Sequence, residues 1–87
     1  MTYRVELSPA AQRDLARLGE EVQLRIRARL RELAEDPRPP GCKKLKDQEG
    51  RLRVRAGDWR ILYSVRDAER IVEVGHILHR SEAYRRL

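Results

Sequence analysis

Residues 36–41, Asp36-Pro37-Arg38-Pro39-Pro40-Gly41, hold three of the chain's four prolines and bar any helix from crossing the middle of its 87 residues. Proline lacks the N–H a helix needs and disfavours helical geometry in the residue before it. The two sides of this break follow different periods. Before it, Val22, Ile26, Leu30 and Leu33 recur at i, i+4, i+8 and i+11, which predicts a helix from Glu20 to Glu35 with Arg and Glu outside. A shorter helix precedes it, with Ala11, Leu15 and Leu18 on one face, Ser8 as N-cap, Pro9 in the first position and Gly19 as the expected stop.

Alternation by two governs the rest. Tyr3, Val5 and Leu7 alternate with Thr2, Arg4 and Glu6, an opening strand. After the break, Leu52 and Val54 alternate with Arg51, Arg53 and Arg55. A turn at Ala56-Gly57-Asp58 leads to a strand from Trp59 to Arg66, and a turn at Asp67-Ala68-Glu69 leads to one from Ile71 to Leu78. Residues 42–50 read as a loop or short irregular strand anchored by Leu45, and a final helical turn is expected from a Ser81 cap. The order β-α-α-β-β-β predicts one α+β domain over residues 1–87. In it a helical hairpin packs on one face of an antiparallel sheet, completed by a three-stranded meander.

The chain has no Phe, so aliphatic residues must build the core, helped by Trp59, Tyr3, Tyr63 and Tyr84. Twenty basic against fourteen acidic residues give a net charge of +6, which suits an acidic partner: nucleic acid, an anionic membrane surface or an acidic protein. No apolar run is long enough to span a bilayer, and the N-terminus reads directly as a strand, so neither a membrane nor a leader is expected. The single Cys42 excludes an internal disulfide and a multi-cysteine metal site, and reads as incidental in chemistry. A reducing cytoplasm is the expected compartment.

Three segments, YRVELSPAAQRDLARL, RLRVRAGDWRILYSV and VGHILHRSEAY, together with the order of elements, resemble the RelE/ParE toxin superfamily over essentially the whole chain. The most specific part is the basic strand, then Gly57, then Trp59-Arg60-Ile61-Leu62-Tyr63; the closing His79-Arg80 and Tyr84 strengthen it. The resemblance implies a compact toxin that cleaves messenger RNA in the ribosomal decoding site without a metal or other cofactor. It also implies a cognate antitoxin, acidic where it binds, that covers the basic face in a toxin–antitoxin hetero-oligomer. Carried onto this chain, the family's active residues fall at Arg51, Arg53, Arg60, Arg80 and Tyr84. Family members often have lysine at the first two positions, and the spacing around His79-Arg80 differs from RelE by about one residue.

The residues support such chemistry in their own right. Metal-free RNA cleavage needs removal of a 2′ proton, stabilisation of a more negative phosphorane and protonation of the leaving 5′ oxygen. Alternation points Arg51, Arg53 and Arg55 to one sheet face, roughly 7 Å apart, and Arg60 joins them if the hairpin register allows. Arginine stays protonated, so it stabilises charge and makes a poor base; Tyr84 or His79 is the candidate base, with His76 given less weight. Lys43, Lys44 and Lys46 are candidate extensions of an RNA track. Each has a plainer reading: a solvated strand face for the arginines, an Arg60 ion pair with Asp58 or Glu73, a solvated lysine loop, and packing or surface roles for Tyr84 and His79. Trp59 and Tyr63 read as core more readily than as stacking platforms. Three rival functions stay open: a ParE-like inhibitor of DNA gyrase, a non-catalytic module that binds an antitoxin or RNA, and a generic nucleic-acid binder. The last lacks any zinc, helix-turn-helix or RNP signature.

Overall fold

In the computed structural model, residues 2–46 and 48–86 are described, the last three of them by backbone alone. Strand β1 (Arg4–Leu7) leads into helices α1 (Pro9–Ala16) and α2 (Glu20–Glu35). Strands β2 (Lys43–Lys44), β3 (Arg51–Ala56), β4 (Trp59–Arg66) and β5 (Ile71–His79) follow, and helix α3 (Arg80–Arg86) closes the chain. The five strands form one sheet in the order β1-β5-β4-β3-β2. It is mixed rather than antiparallel throughout: β1 lies parallel to β5, with Arg4 opposite Ile71 and Leu7 opposite Val74. The first strand therefore closes the sheet beside the last, a pairing that no local pattern specifies.

Ser8 starts α1 as expected, its Oγ accepting from the Ala11 N–H at 3.1 Å, and it also donates to the Gly75 carbonyl of β5 at 2.8 Å. Gly19 does not stop that helix. It is the extended N-cap of α2, at φ −63° and ψ 158°, so its freedom from a side chain is not what ends α1. The α3 start differs too. The helix begins at Arg80, and the acceptor at its head is the His79 ring, whose Nδ1 receives the Ser81 N–H at 3.3 Å; Ser81 is not the cap.

One face of the sheet is the core. Ala11, Leu15, Ile26, Leu30 and Leu33 of the helices pack on the inward residues of the three long strands, among them Val54, Ile61, Val72 and Ile77. Tyr63 is fully buried there and donates its hydroxyl to the Pro37 carbonyl at 2.7 Å, which fastens the proline-rich break to the sheet. Burial pushes the Tyr63 phenol up, far from any proton-transfer role. The opposite face carries the outward residues of β3, β4 and β5. Its apolar members, Leu62 and Leu78, are covered by Leu45 and by Ala83 of α3 in a second, small cluster.

Two backbone features shape that outer face. Gly57 turns the β3–β4 hairpin at φ +63°, and among the described residues Asp58 has no positive φ, the arrangement of a two-residue loop with glycine first. A bulge interrupts β5: Leu62 pairs with His76 but Tyr63 with Val74, leaving Gly75 without a partner on β4.

Candidate functional site

The hairpin register brings four cations of the outer face together. Arg55 lies opposite Arg60, Arg53 opposite Leu62, and Lys43 of β2 opposite Arg53. Lys43, Arg53, Arg55 and Arg60 line a hollow of about 130 Å³ with Gly41, whose φ of +91° turns the chain out of the proline segment. Arg60 is steered by its own turn, since its Nη1 donates to the Gly57 carbonyl at 3.1 Å and the Trp59 carbonyl at 3.0 Å. Behind the strand, Arg29 of α2 donates to the Arg55 carbonyl at 3.0 Å. Among the described residues no carboxylate pairs with Lys43, Arg53 or Arg55. Like charges gathered this closely repel one another, and an anion seated among them relieves that repulsion.

Arg51 shares the face but not the hollow. Its side chain crosses Ser64 and lies on Gly75, where a Cβ would stand 2.6 Å from its Nη1. It helps line a separate pocket of about 250 Å³ with Glu6, Ser64, Glu73 and Gly75. The Glu73 carboxyl is held below its usual range, chiefly by hydrogen bonds from Arg66 at 2.9 and 2.6 Å, with the Arg51 charge adding to the effect. The four arginines share the outer face as alternation and register predict, but only Arg53, Arg55 and Arg60 line the hollow. Arg51 lies instead over Gly75 of β5, and Lys43 takes the fourth place.

The other expected residues disperse. Lys44 pairs with Leu52 and so faces opposite to Lys43, while Lys46 is exposed and lines none of these hollows. Arg80 sits at the head of α3, 4.0 Å from Asp58. His79 pairs with Trp59 on the helix-facing side of the sheet, its ring edge-on to the indole at 5.3 Å, and so faces away from the arginines; register removes it from the site as a base. Tyr84 belongs to α3 by its backbone, and its side chain lies outside the described residues. Two plainer readings are settled as well: Trp59 and Tyr63 pack with the core, and Glu73 pairs with Arg66 instead of Arg60.

Sequence reasoning passed over one arrangement at the bulge. His76 lies opposite Leu62, on the outer face, in the row that runs through Arg53 to Lys43. Its Nδ1 is 3.3 Å from Asp14 Oδ2, and the same oxygen accepts from the Ile77 N–H at 2.9 Å. The signal available beforehand was Gly75 inside a strand pattern, which marks a bulge and a re-aimed neighbour.

With this geometry in place, the relatives can be compared. Residues 5–84 match the family described as the ParE toxin of type II toxin–antitoxin system, parDE. Toxin RelE of Mycobacterium tuberculosis is 34% identical over 84 residues, covering 95% of this chain and 87% of that protein. The chain belongs to the RelE/ParE toxin superfamily. Two solved structures superpose on this toxin closely. The archaeal RelE–RelB complex from Pyrococcus horikoshii matches with a TM-score of 0.79 and 26% identity, over 92% of this chain and 97% of that one. The RelBE2 toxin–antitoxin complex from Mycobacterium tuberculosis matches with a TM-score of 0.80 and 25% identity, over 92% and 100%. The toxin thus has the RelE-like α+β fold, and its family is that of type II toxin–antitoxin toxins.

Proposed function

We propose that this toxin is a cytoplasmic endoribonuclease that cleaves messenger RNA on the ribosome by attack of a ribose 2′-OH on the adjacent phosphate. The reading is carried by one observation, the hollow of about 130 Å³ walled by Lys43, Arg53, Arg55 and Arg60. A phosphate fits it by charge, and the phosphorane formed during attack, being more negative, is favoured further. Arg53 and Arg60 are the proposed stabilisers of that charge, Arg55 and Lys43 the proposed holders of the RNA. Tyr84 is a proposed proton carrier on the strength of the family resemblance. Arg51 and Arg80, each placed outside the hollow, are proposed to hold flanking RNA rather than the scissile group.

A cognate antitoxin is the proposed inhibitor, as in the RelE–RelB complexes, with an acidic segment over the cation hollow. A second reading has a specific observation behind it, because the matching family model is described by its ParE toxin: inhibition of DNA gyrase by the same fold. Purified toxin is assayed for cleavage of mRNA in programmed ribosomes and, in parallel, for gyrase inhibition. Cleavage that falls about 10²–10³-fold in Arg60→Ala and is lost in Tyr84→Phe supports the nuclease. Gyrase inhibition with intact mRNA establishes the second reading instead.

A further inference from the structure

Arginine cannot accept the 2′ proton, and His79 faces the wrong side of the sheet. Beside Tyr84, already a proposed proton carrier, the outer face offers a second group suited to the task. β1 ends opposite Val74, so beyond that point the outer edge of β5 has no neighbouring strand. Groups before and within α1 take its place. The Ser8 hydroxyl donates to the Gly75 carbonyl, and the Asp14 carboxylate accepts from the Ile77 N–H. The bulge is thereby pinned from outside, and the His76 ring between these anchors comes to rest with Nδ1 on Asp14 Oδ2.

A carboxylate only accepts, so this contact assigns the ring proton to Nδ1 and leaves the lone pair on Nε2 in the neutral ring. The His76 side chain is 36% exposed and reachable, while Asp14 is 17% exposed and well held. Arg51 completes the arrangement. Its guanidinium rests on Gly75, which puts Nη1 within about 8 Å of the His76 Cα, given the 3.8 Å step between neighbouring Cα atoms. Across the sheet, β4 contributes Leu62 and Ser64 to this neighbourhood and no charge; Glu73 on β5 is occupied by Arg66.

We infer that His76, oriented by Asp14, is a catalytic proton carrier of this toxin, acting on the RNA phosphodiester seated in the cation hollow, to which its cross-strand row leads through Leu62 and Arg53, while Arg51 holds the flanking strand. The inference rests on the nuclease reading. In the step, His76 Nε2 takes the 2′-OH proton as the O2′–P bond forms. The P–O5′ bond then breaks, and the leaving 5′ oxygen takes the phenolic proton of Tyr84. Exchange with water returns a proton from the imidazolium to the phenolate, and the products are a 2′,3′-cyclic phosphate and a 5′-hydroxyl. Asp14 touches no substrate; it is a positioning residue.

The test is single-turnover cleavage of mRNA in programmed ribosomes by wild type, His76→Gln, His76→Ala and Asp14→Asn, measured from pH 5.5 to 9, with toxin binding to the ribosome and thermal melting recorded for each. Loss of a general base typically costs about 10²–10⁴-fold in rate, and that is the loss expected for His76→Gln. Its melting and ribosome binding should be unchanged, and the acid-side fall of the wild-type profile should disappear. Added imidazole should restore part of the rate to His76→Ala, and Asp14→Asn should reduce the rate by less than His76→Gln. Wild-type rate and an unchanged pH profile in His76→Gln would overturn the inference while leaving the nuclease intact. Absence of cleavage by the wild type would remove both.

Discussion

Single residues on this sheet are held by contacts that predict what their replacement does. The Tyr63 hydroxyl is the buried donor to the Pro37 carbonyl. Tyr63→Phe keeps the ring and leaves that carbonyl without its bond, which should cost about 1–3 kcal/mol, read as a lower urea midpoint with an unchanged m-value. Gly75 behaves differently. Its φ is not in the left-handed region, so alanine imposes no backbone strain; the new Cβ clashes with the flexible end of Arg51, and the Leu62 carbonyl oxygen at 3.8 Å is ordinary contact. Gly75→Ala should therefore leave the melting temperature within about 3 °C of wild type while displacing Arg51, and cleavage should fall further than stability. Equal losses in both would mean that Gly75 serves packing alone. Alternation was enough to place Arg51 on the outer face, but not to say where along β5 its guanidinium would settle. The missing Cβ at Gly75, on a strand remote in sequence, leaves the room it occupies.

At the scale of elements, α1 links the first strand to the last. Ser8 caps the helix and ties it to the bulge in one side chain. Ser8→Ala removes both bonds and should destabilise the fold by about 1–2 kcal/mol, the upper part of the usual range for losing a cap, measured by chemical denaturation. Ser8→Asp should recover the capping part and not the bond to Gly75, because a carboxylate cannot donate. The elements themselves were legible in the chain: the proline break, the Ser8-Pro9 start and the strand alternation all match the structure within a residue or two. Gly19 and Ser81 were misread for a common reason. Each has the right residue type for a helix end, but which end, and which neighbour supplies the acceptor, depends on the path of the adjoining chain.

For the whole molecule, Asp67 joins three distant segments. It accepts from Arg38 in the proline break at 3.1 and 3.0 Å and from Tyr3 at the start of the chain at 2.7 Å. The hydrogen bonds from Arg38, and then from Tyr3, hold its carboxyl down at about 2 against an ordinary 3.8. A carboxylate lowered in the folded state adds stability that is complete above the unfolded value and disappears as pH falls through the folded one. The melting temperature should therefore drop between about pH 4 and pH 2, and Asp67→Asn should flatten that drop while lowering stability at neutral pH. An equally steep acid transition in the variant would show that other carboxylates govern it. The network is solvent-exposed, so high salt should weaken it.

Periodicity, proline placement and charge sufficed to determine an α+β domain with a helical hairpin, a sheet with one arginine-bearing face, and a superfamily resemblance that the comparisons uphold. These properties are local, since they depend only on which side of a helix or strand a residue occupies. Which cations meet, that β1 runs parallel to β5, and that an α1 carboxylate aims a β5 imidazole were decided by tertiary structure alone. Strand register, a one-residue bulge and the direction of long flexible side chains are set by partners far away in the chain, and a period of two carries no information about them.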